Sequence, residues 1–406
     1  MAILLMAAMW LVYGAFFAPA GLFTDDEIIH SAMIDRFATS GSFVIPNGYE
    51  DFPTESLRLT FLVPGPHGLV PQYPEGYAIL AAPFYLLGGM QGIVFLNTLA
   101  SVLTLFLTWR MARILFGDER LAASAALIFG LATFAVDYAF AIWPHAVGNA
   151  FVAGALYAAV SGLEDEDESW RSFMLAGLLI GLGVSIRRDV LIAAPLIGVW
   201  LFLFARRPIR ATGAFAVPLG LGLMVAAWLN YLKFGDFNPV TYGHSAGDGQ
   251  MTGVLRYAPY ALLAGGLLLL MRWRPAWHAL RGRRGWAAFA FGVALILALP
   301  ATRNLALRVF DGLWVLLVNI EHTANLATHP RYQAVGDSHY LYFGTLKKTL
   351  VESLPYLPLL LFPLAGLLRG PRRAAHALCL FFPVCWFLVY APTQLIGGLA
   401  NNMRYL

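Results

Sequence analysis

The chain has 406 residues, of which 59% are hydrophobic and 12% charged, with a mean hydropathy of +0.67. A soluble globular protein of this length does not carry so apolar a composition. The net charge is +4, and the basic residues sit in short segments between apolar runs rather than in one stripe, which orients a membrane protein and argues against nucleic acid as a partner.

Each membrane span must satisfy its backbone internally, and the apolar runs are too long and too rich in Leu, Ala and Gly for alternating barrel strands. The predicted fold class is therefore all-α: one polytopic membrane domain over 1–406, without internal repeat or low-complexity linker. Met1 to Pro19 is apolar and uncharged. Ala18-Pro19-Ala20 resembles a signal-peptidase site, but no basic segment precedes it, so this run is read as a retained first helix.

Thr24-Asp25-Asp26-Glu27-Ile28-Ile29-His30 follows at once, three consecutive acids in a chain with few charges. Thr24 and Glu27 have capping-box spacing, which predicts a helix from here to about Ser40 with Gly41 as its stop. Asp26 and His30 then share a face with Met33 and Phe37. That face suits either a local Asp/His pair on a solvated helix or a base facing substrate at the membrane surface.

Further spans are predicted at 91–114, 121–140, 146–160, 173–186, 190–205, 211–231, 254–271, 286–301, 354–368 and 374–392, about eleven with the first. With an inside N-terminus, alternation puts Arg110, Arg113 and Arg120, then Arg206, Arg207 and Arg210, then Arg272 to Arg284, then Arg369, Arg372 and Arg373 inside, as the positive-inside rule requires. The acidic run Glu164 to Glu168 also falls inside and reads as a solvated turn. Three long polar loops, 20–75, 232–253 and 302–353, fall outside, which makes the outer face the place to look for chemistry.

The first of these loops holds eight of the 23 acids and closes on Gln72-Tyr73-Pro74-Glu75-Gly76. The apolar stretch Tyr77 to Leu87, ended by Gly88-Gly89, is too short to cross and reads as an interfacial helix. In the third loop, Leu305 to Ile320 reads as another interfacial or re-entrant helix, and Tyr332, Tyr340, Tyr342, Lys347 and Lys348 as interfacial anchors. Cys379 and Cys385 are six apart in one apolar segment, cannot meet on one helix face, and read as core thiols.

Taken in order, these segments resemble the GT-C superfamily of integral membrane glycosyltransferases, in particular the branch of polyprenyl-phosphate-sugar transferases that includes protein O-mannosyltransferases and the aminoarabinose transferases of lipid A. The resemblance rests on Asp26-Glu27 with Ala32 to Gly41 behind it, on Tyr73-Pro74-Glu75-Gly76-Tyr77, and on Ala112-Arg113-Ile114-Leu115-Phe116-Gly117. Gly177 to Arg187 and Gly397-Gly398 through Arg404-Tyr405 complete it. His30 stands where many members have Tyr, and the turn after the third span reads Trp143-Pro144-His145. Members continue past the Arg-Tyr pair with a proline-rich segment and another helix, so the resemblance leaves a last span expected beyond Leu406.

The resemblance implies transfer of a sugar, with inversion, from a polyprenyl-phosphate donor to a glycan, lipid or protein acceptor at the outer face of an inner or plasma membrane. Such a displacement needs one base and positive charge near the departing phosphate. Asp26 is the first candidate base, with Asp25 and Glu27 next; Asp25 points about 100° away from it. Arg187, Arg188 and Arg404 are candidates for the phosphate, with snorkelling to lipid headgroups as the alternative. His30, Tyr73, Glu75, His145 and Tyr242 are expected to line the site. No nucleotide cofactor is implied, and His30 with Asp25, Asp26 or Glu27 could hold a divalent metal. A transporter or flippase, and a ligase or polymerase of surface polysaccharide, remain alternative readings. Few acids in the spans besides Asp137 and Asp189, no inverted halves and polar residues gathered on one face weigh against transport.

Overall fold

The computed structural model describes residues 1–22, 24–54, 61–243, 300–318, 332–335, 339–342, 345–347, 349–354, 357–361 and 372–391. The chain falls into two compact units, Met1–Val254 and Leu255–Leu406.

In the first unit, α1 (Ala2–Phe16) leads to α2 (Asp25–Ser40), which starts on the predicted capping box and stops at Gly41 with a left-handed φ of 66°. A hairpin follows, β1 (Leu62–Gly65) against β2 (Gly68–Pro71), with Val63 opposite Val70 and Gly65 opposite Gly68. Next, α3 (Gly76–Phe116) contains the short helix expected over Tyr77–Leu87 and bends sharply at Gly89, whose φ of 58° and ψ of −142° favour a residue without Cβ. The run expected as one span over 121–140 is broken into α4 (Glu119–Ala132) and α5 (Ala135–Ala139). The break is at Thr133, whose hydroxyl donates to the Phe129 carbonyl at 2.6 Å and accepts from the Ala135 amide at 3.1 Å, diverting backbone groups from the helix. Then come α6 (His145–Glu164), α7 (Trp170–Gly183), a 3₁₀ turn (Arg188–Ile192), α8 (Ala193–Phe204) and α9 (Pro208–Phe234).

Small residues set a close helix contact in this unit. On α7, Gly177 and Gly181 lie directly on the α9 backbone: a Cβ at Gly177 would come within 1.9 Å of the Phe215 carbonyl oxygen, and one at Gly181 within 2.5 Å of that of Leu219. In lipid, apolar side chains gain little by leaving their surroundings, so such backbone approach is what holds two helices together. Buried polar side chains tie elements of the bundle together. Asn97 on α3 is fully buried and donates to the Tyr77 hydroxyl and the Trp143 carbonyl, both at 2.9 Å, which fixes the turn before α6.

Polar connections collect at the two ends of this unit. One end carries the acidic run, where Glu168 accepts from the Arg207 amide at 3.2 Å and Arg206 donates to the Glu166 carbonyl at 2.8 Å. The run expected as a merely solvated turn thus holds the following basic loop. The other end carries the start of α2, the hairpin and the turns after α5, α7 and α9.

In the second unit, α10 (Pro300–Leu317) covers most of the helix expected over Leu305–Ile320. A three-stranded antiparallel sheet follows: β3 (Tyr332–Val335), β4 (His339–Tyr342) and β5 (Thr345–Lys347), with Val335 opposite His339 and Tyr342 opposite Thr345. Then come α11 (Leu350–Ser353), a 3₁₀ turn (Leu357–Leu361) and α12 (Arg373–Tyr390), which carries both cysteines as free thiols.

The all-α expectation is met in part. The fold is mostly helical but not all-α, because the hairpin and the sheet lie in segments read as loop, and Tyr332, Tyr340 and Lys347 belong to paired strands. Among the described residues three helices are long and apolar enough to cross a membrane: α3, α6 and α9. α1, α7 and Arg373–Val389 are shorter apolar helices, and with 244–299 outside the described residues the count of about eleven spans is not tested. The span expected at 254–271, most of those at 286–301 and 354–368, and Lys348 lie outside the described residues.

Candidate active site

The first turn of α2 sorts its three acids by direction. Asp25 is exposed, Asp26 half-buried and Glu27 buried. The Glu27 carboxylate accepts from the Thr24 amide at 2.9 Å while its own amide donates to the Thr24 hydroxyl at 3.3 Å, the reciprocal pair that the spacing predicts. Asp26 faces inward and accepts the phenolic proton of Tyr73. One turn on, His30 is buried with its ring 4.4 Å from the same Tyr73 ring and edge-on to Tyr77 at 5.5 Å. The face shared by Asp26 and His30 therefore meets at Tyr73.

The hairpin brings Tyr73 there. Strand side chains alternate between faces. Here Leu62 and Leu69 pack on Ile29 of α2, while Val63 and Val70 pack on Phe234 of α9. The hairpin is thus wedged between the two helices and delivers Gln72, Tyr73 and Glu75 to the space they enclose. The Gly76 amide donates to the Ser185 carbonyl at 2.7 Å, which seats this segment against the end of α7.

Cations surround it. Lys233, in the last turn of α9, is 2% exposed and ion-paired with Glu75, itself 1% exposed, and also donates to the Tyr73 carbonyl. Arg188 donates through Nη2 to the Gln72 carbonyl at 3.0 Å, and the Tyr242 ring lies 3.3 Å from its guanidinium carbon. Its Nε and Nη1 are buried and find no hydrogen-bond partner among the described residues. Burial pushes the Arg188 pKa down to about 10, opposed by Tyr242 and Glu75. Arg187 instead donates to Asp189, from Nε at 2.9 Å, and its side chain lies against Gly148 near the start of α6.

The expected site residues therefore divide. Asp26, His30 and Tyr73 are in direct contact, Glu75 is joined to Tyr73 through Lys233, and Arg188 with Tyr242 is joined to the same segment through the Gln72 carbonyl. His145 is stacked flat on Tyr138 with centroids 4.4 Å apart, and the adjoining Trp143 donates to the Thr24 hydroxyl at 3.3 Å, so this turn buttresses the start of α2. Arg187 is engaged by Asp189, and Arg404 lies outside the described residues. A metal bound by His30 with Asp25, Asp26 or Glu27 does not fit: Asp25 turns to solvent, Glu27 closes the cap, and no three such donors converge among the described residues. Gln72 and Lys233 were not foreseen as site residues. The signal for Lys233 was a lone cation ending an apolar run, which in a membrane helix asks for a partner.

The arrangement offers a half-buried carboxylate and a buried guanidinium held by consecutive residues, Tyr73 and Gln72. Lys233 is matched by Glu75, and no described carboxylate forms an ion pair with Arg188. One positive charge thus stays available to an anion.

Comparison with known proteins places these features in a family context. Residues 71–231 match the dolichyl-phosphate-mannose-protein mannosyltransferase family, a GT-C family. The match includes Tyr73, Glu75 and Arg188; Asp26 and Lys233 lie outside it. The fold is similar to that of the archaeal oligosaccharyltransferase AglB from Archaeoglobus fulgidus, solved in complex with an inhibitory peptide and a dolichol-phosphate. The TM-score is 0.53 at 16% identity, covering 100% of this chain and 48% of that one. The Archaeoglobus fulgidus oligosaccharyltransferase complexed with Zn and sulfate gives a TM-score of 0.46 at 16% identity, covering 96% and 49%. The chain spans about half the length of either structure. No curated protein sequence matches it. The GT-C resemblance read from the motifs is thus met by a family match over residues 71–231 and by a similar fold.

Proposed function

We propose that the protein is a membrane glycosyltransferase that moves one sugar, with inversion, from a polyprenyl-phosphate donor to a glycan, lipid or protein acceptor at the outer face of a multi-pass inner or plasma membrane. The observation that carries this reading is that two consecutive residues, Gln72 and Tyr73, hold a guanidinium through a backbone carbonyl and a carboxylate through a phenol. In a single displacement, Asp26 takes the proton of the acceptor hydroxyl or amine as that atom attacks the anomeric carbon. The C–O bond to phosphate breaks on the opposite side, and Arg188 meets the charge that collects on the departing phosphate. A guanidinium suits phosphate because its planar fork presents parallel donors and its charge persists at neutral pH. Lys233, neutralised by Glu75, holds the Tyr73 backbone rather than the donor. The AglB structure contains a dolichol-phosphate, which supports a lipid-linked donor for a chain of the same fold.

Incubating the purified protein with a panel of labelled polyprenyl-phosphate sugars tests this reading. Consumption of one donor with release of polyprenyl phosphate is expected. Stability of every donor, alongside uptake or flipping of a lipid-linked sugar in vesicles, would favour the transporter reading.

A further inference from the structure

At the opposite end of the first unit, α7 and α9 leave a groove of about 380 Å³ lined by Met174, Ala214, Val217 and Pro218, with Trp170 and Arg210 at its mouth. The groove exists because the α9 wall is low there: a Cβ at Gly213 would meet nothing within 4 Å. Val217 is 66% exposed, so the groove opens sideways, towards lipid if α9 spans. Beside it a shallow recess of about 10 Å³ shares Trp170 and Arg210 and is bordered by Asp167, Glu168 and Arg207 together with Phe173 and Ala211. The apolar slot therefore ends on an exposed surface that carries both signs of charge.

The charges at the mouth are unevenly occupied. Glu168 is engaged with the backbone of Arg206 and Arg207. Arg210 is exposed and has no ion-pair partner among the described residues, and the same holds for Asp167. On α9, Arg210 and Lys233 are separated by roughly 35 Å at 1.5 Å per residue, so this end lies about a bilayer core away from the candidate active site.

We propose that this groove and the charged surface at its mouth bind a glycerophospholipid with a primary ammonium headgroup, one acyl chain lying along Met174 and Val217, its phosphate on Arg210 and its ammonium on Asp167. The acyl chain leaves hydrocarbon for hydrocarbon and contributes mainly shape, so selectivity must come from the headgroup. Guanidinium pairs well with phosphate, an ammonium offers three donors to a carboxylate, and an indole is at home at the interface between them. Headgroup binding in charged pockets between helices is an established use of such sites. An anionic glycerol headgroup leaves Asp167 facing like charge, and a trimethylated ammonium cannot donate a hydrogen bond to it. The mixed charge at the mouth thus favours phosphatidylethanolamine over phosphatidylglycerol and phosphatidylcholine.

The test is native mass spectrometry of the full chain released from detergent containing equimolar phosphatidylethanolamine, phosphatidylglycerol and phosphatidylcholine. The expected result is several-fold preferential retention of phosphatidylethanolamine. That preference should be lost in Asp167→Asn/Arg210→Gln, and retention of all three lipids should fall in Val217→Trp, which fills the groove from an exposed position. Equal retention of the three lipids, preference for phosphatidylglycerol, or unchanged preference in the double variant would overturn the proposal. None of these outcomes depends on glycosyl transfer.

Discussion

Lys233 and Glu75 form an ion pair with both side chains buried, joining the last turn of α9 to the segment that carries Tyr73. A buried pair is worth little against an apolar pair of equal size, but losing one member leaves an uncompensated charge out of water. Lys233→Met or Glu75→Gln alone should each destabilise the protein by about 3–5 kcal/mol. The Glu75→Gln/Lys233→Met double variant should recover most of that loss in thermal unfolding. Additive losses would mean that the two residues act independently.

The backbone contact between α7 and α9 makes a paired prediction. Gly177→Ala puts a methyl group into the Phe215 carbonyl and should cost about 1–3 kcal/mol through overpacking. Gly220→Ala, on the same pair of helices, places its Cβ where nothing lies within 4 Å and should gain roughly 0.5–1 kcal/mol from helix propensity. Midpoints of thermal unfolding for the two variants should move in opposite directions.

Much of this was legible in the sequence because it is local. Thr24, Glu27 and Gly41 announce the start and stop of α2, and Gly88-Gly89 announces the bend in α3, since caps and positive φ need particular residues a few positions apart. The hairpin was legible but unread: Leu62-Val63 and Leu69-Val70 flank Pro64-Gly65-Pro66-His67-Gly68, a turn signal between two apolar pairs. The site was legible in its acids and arginines but not in its pairing. That Arg187 turns to Asp189 while Arg188 turns inward depends on the 3₁₀ turn that follows α7, and that Lys233 meets Glu75 depends on a contact between distant parts of the chain.

Arg188 rather than Arg187 should govern donor use. Arg188→Gln removes a charge-assisted contact worth about 1.5–3 kcal/mol, so the KM for donor should rise roughly ten- to a hundredfold, whereas Arg187→Gln should show its effect in stability. The pH profile follows from the sign of the shift. Burial lowers the Arg188 pKa to about 10, so the guanidinium stays charged well below that pH and loses its proton as pH rises through it. Its contribution to donor affinity should be flat near neutrality and decline on approaching pH 10 in the wild type, and Arg188→Gln should abolish that decline. A profile unchanged by the substitution would assign phosphate binding elsewhere.

The sidedness read from the basic loops is testable at the two ends of the first unit. In a background lacking Cys379 and Cys385, an impermeant thiol reagent applied to intact cells should label Ser42→Cys and leave Asp167→Cys unlabelled until the cells are opened. The reverse pattern would invert the topology and place the candidate site inside.

The role of Asp26 tests the account most directly. Asp26→Asn keeps the size of the side chain and leaves the Thr24/Glu27 cap in place, so the protein should fold and insert normally. It removes the basic oxygen, and the single-turnover rate of sugar transfer from the polyprenyl-phosphate donor should fall by about 10²–10⁴, the usual worth of a positioned base, at unchanged unfolding temperature. A transfer rate within a few-fold of wild type, measured at matched protein level and stability, would contradict the assignment of Asp26 as the base.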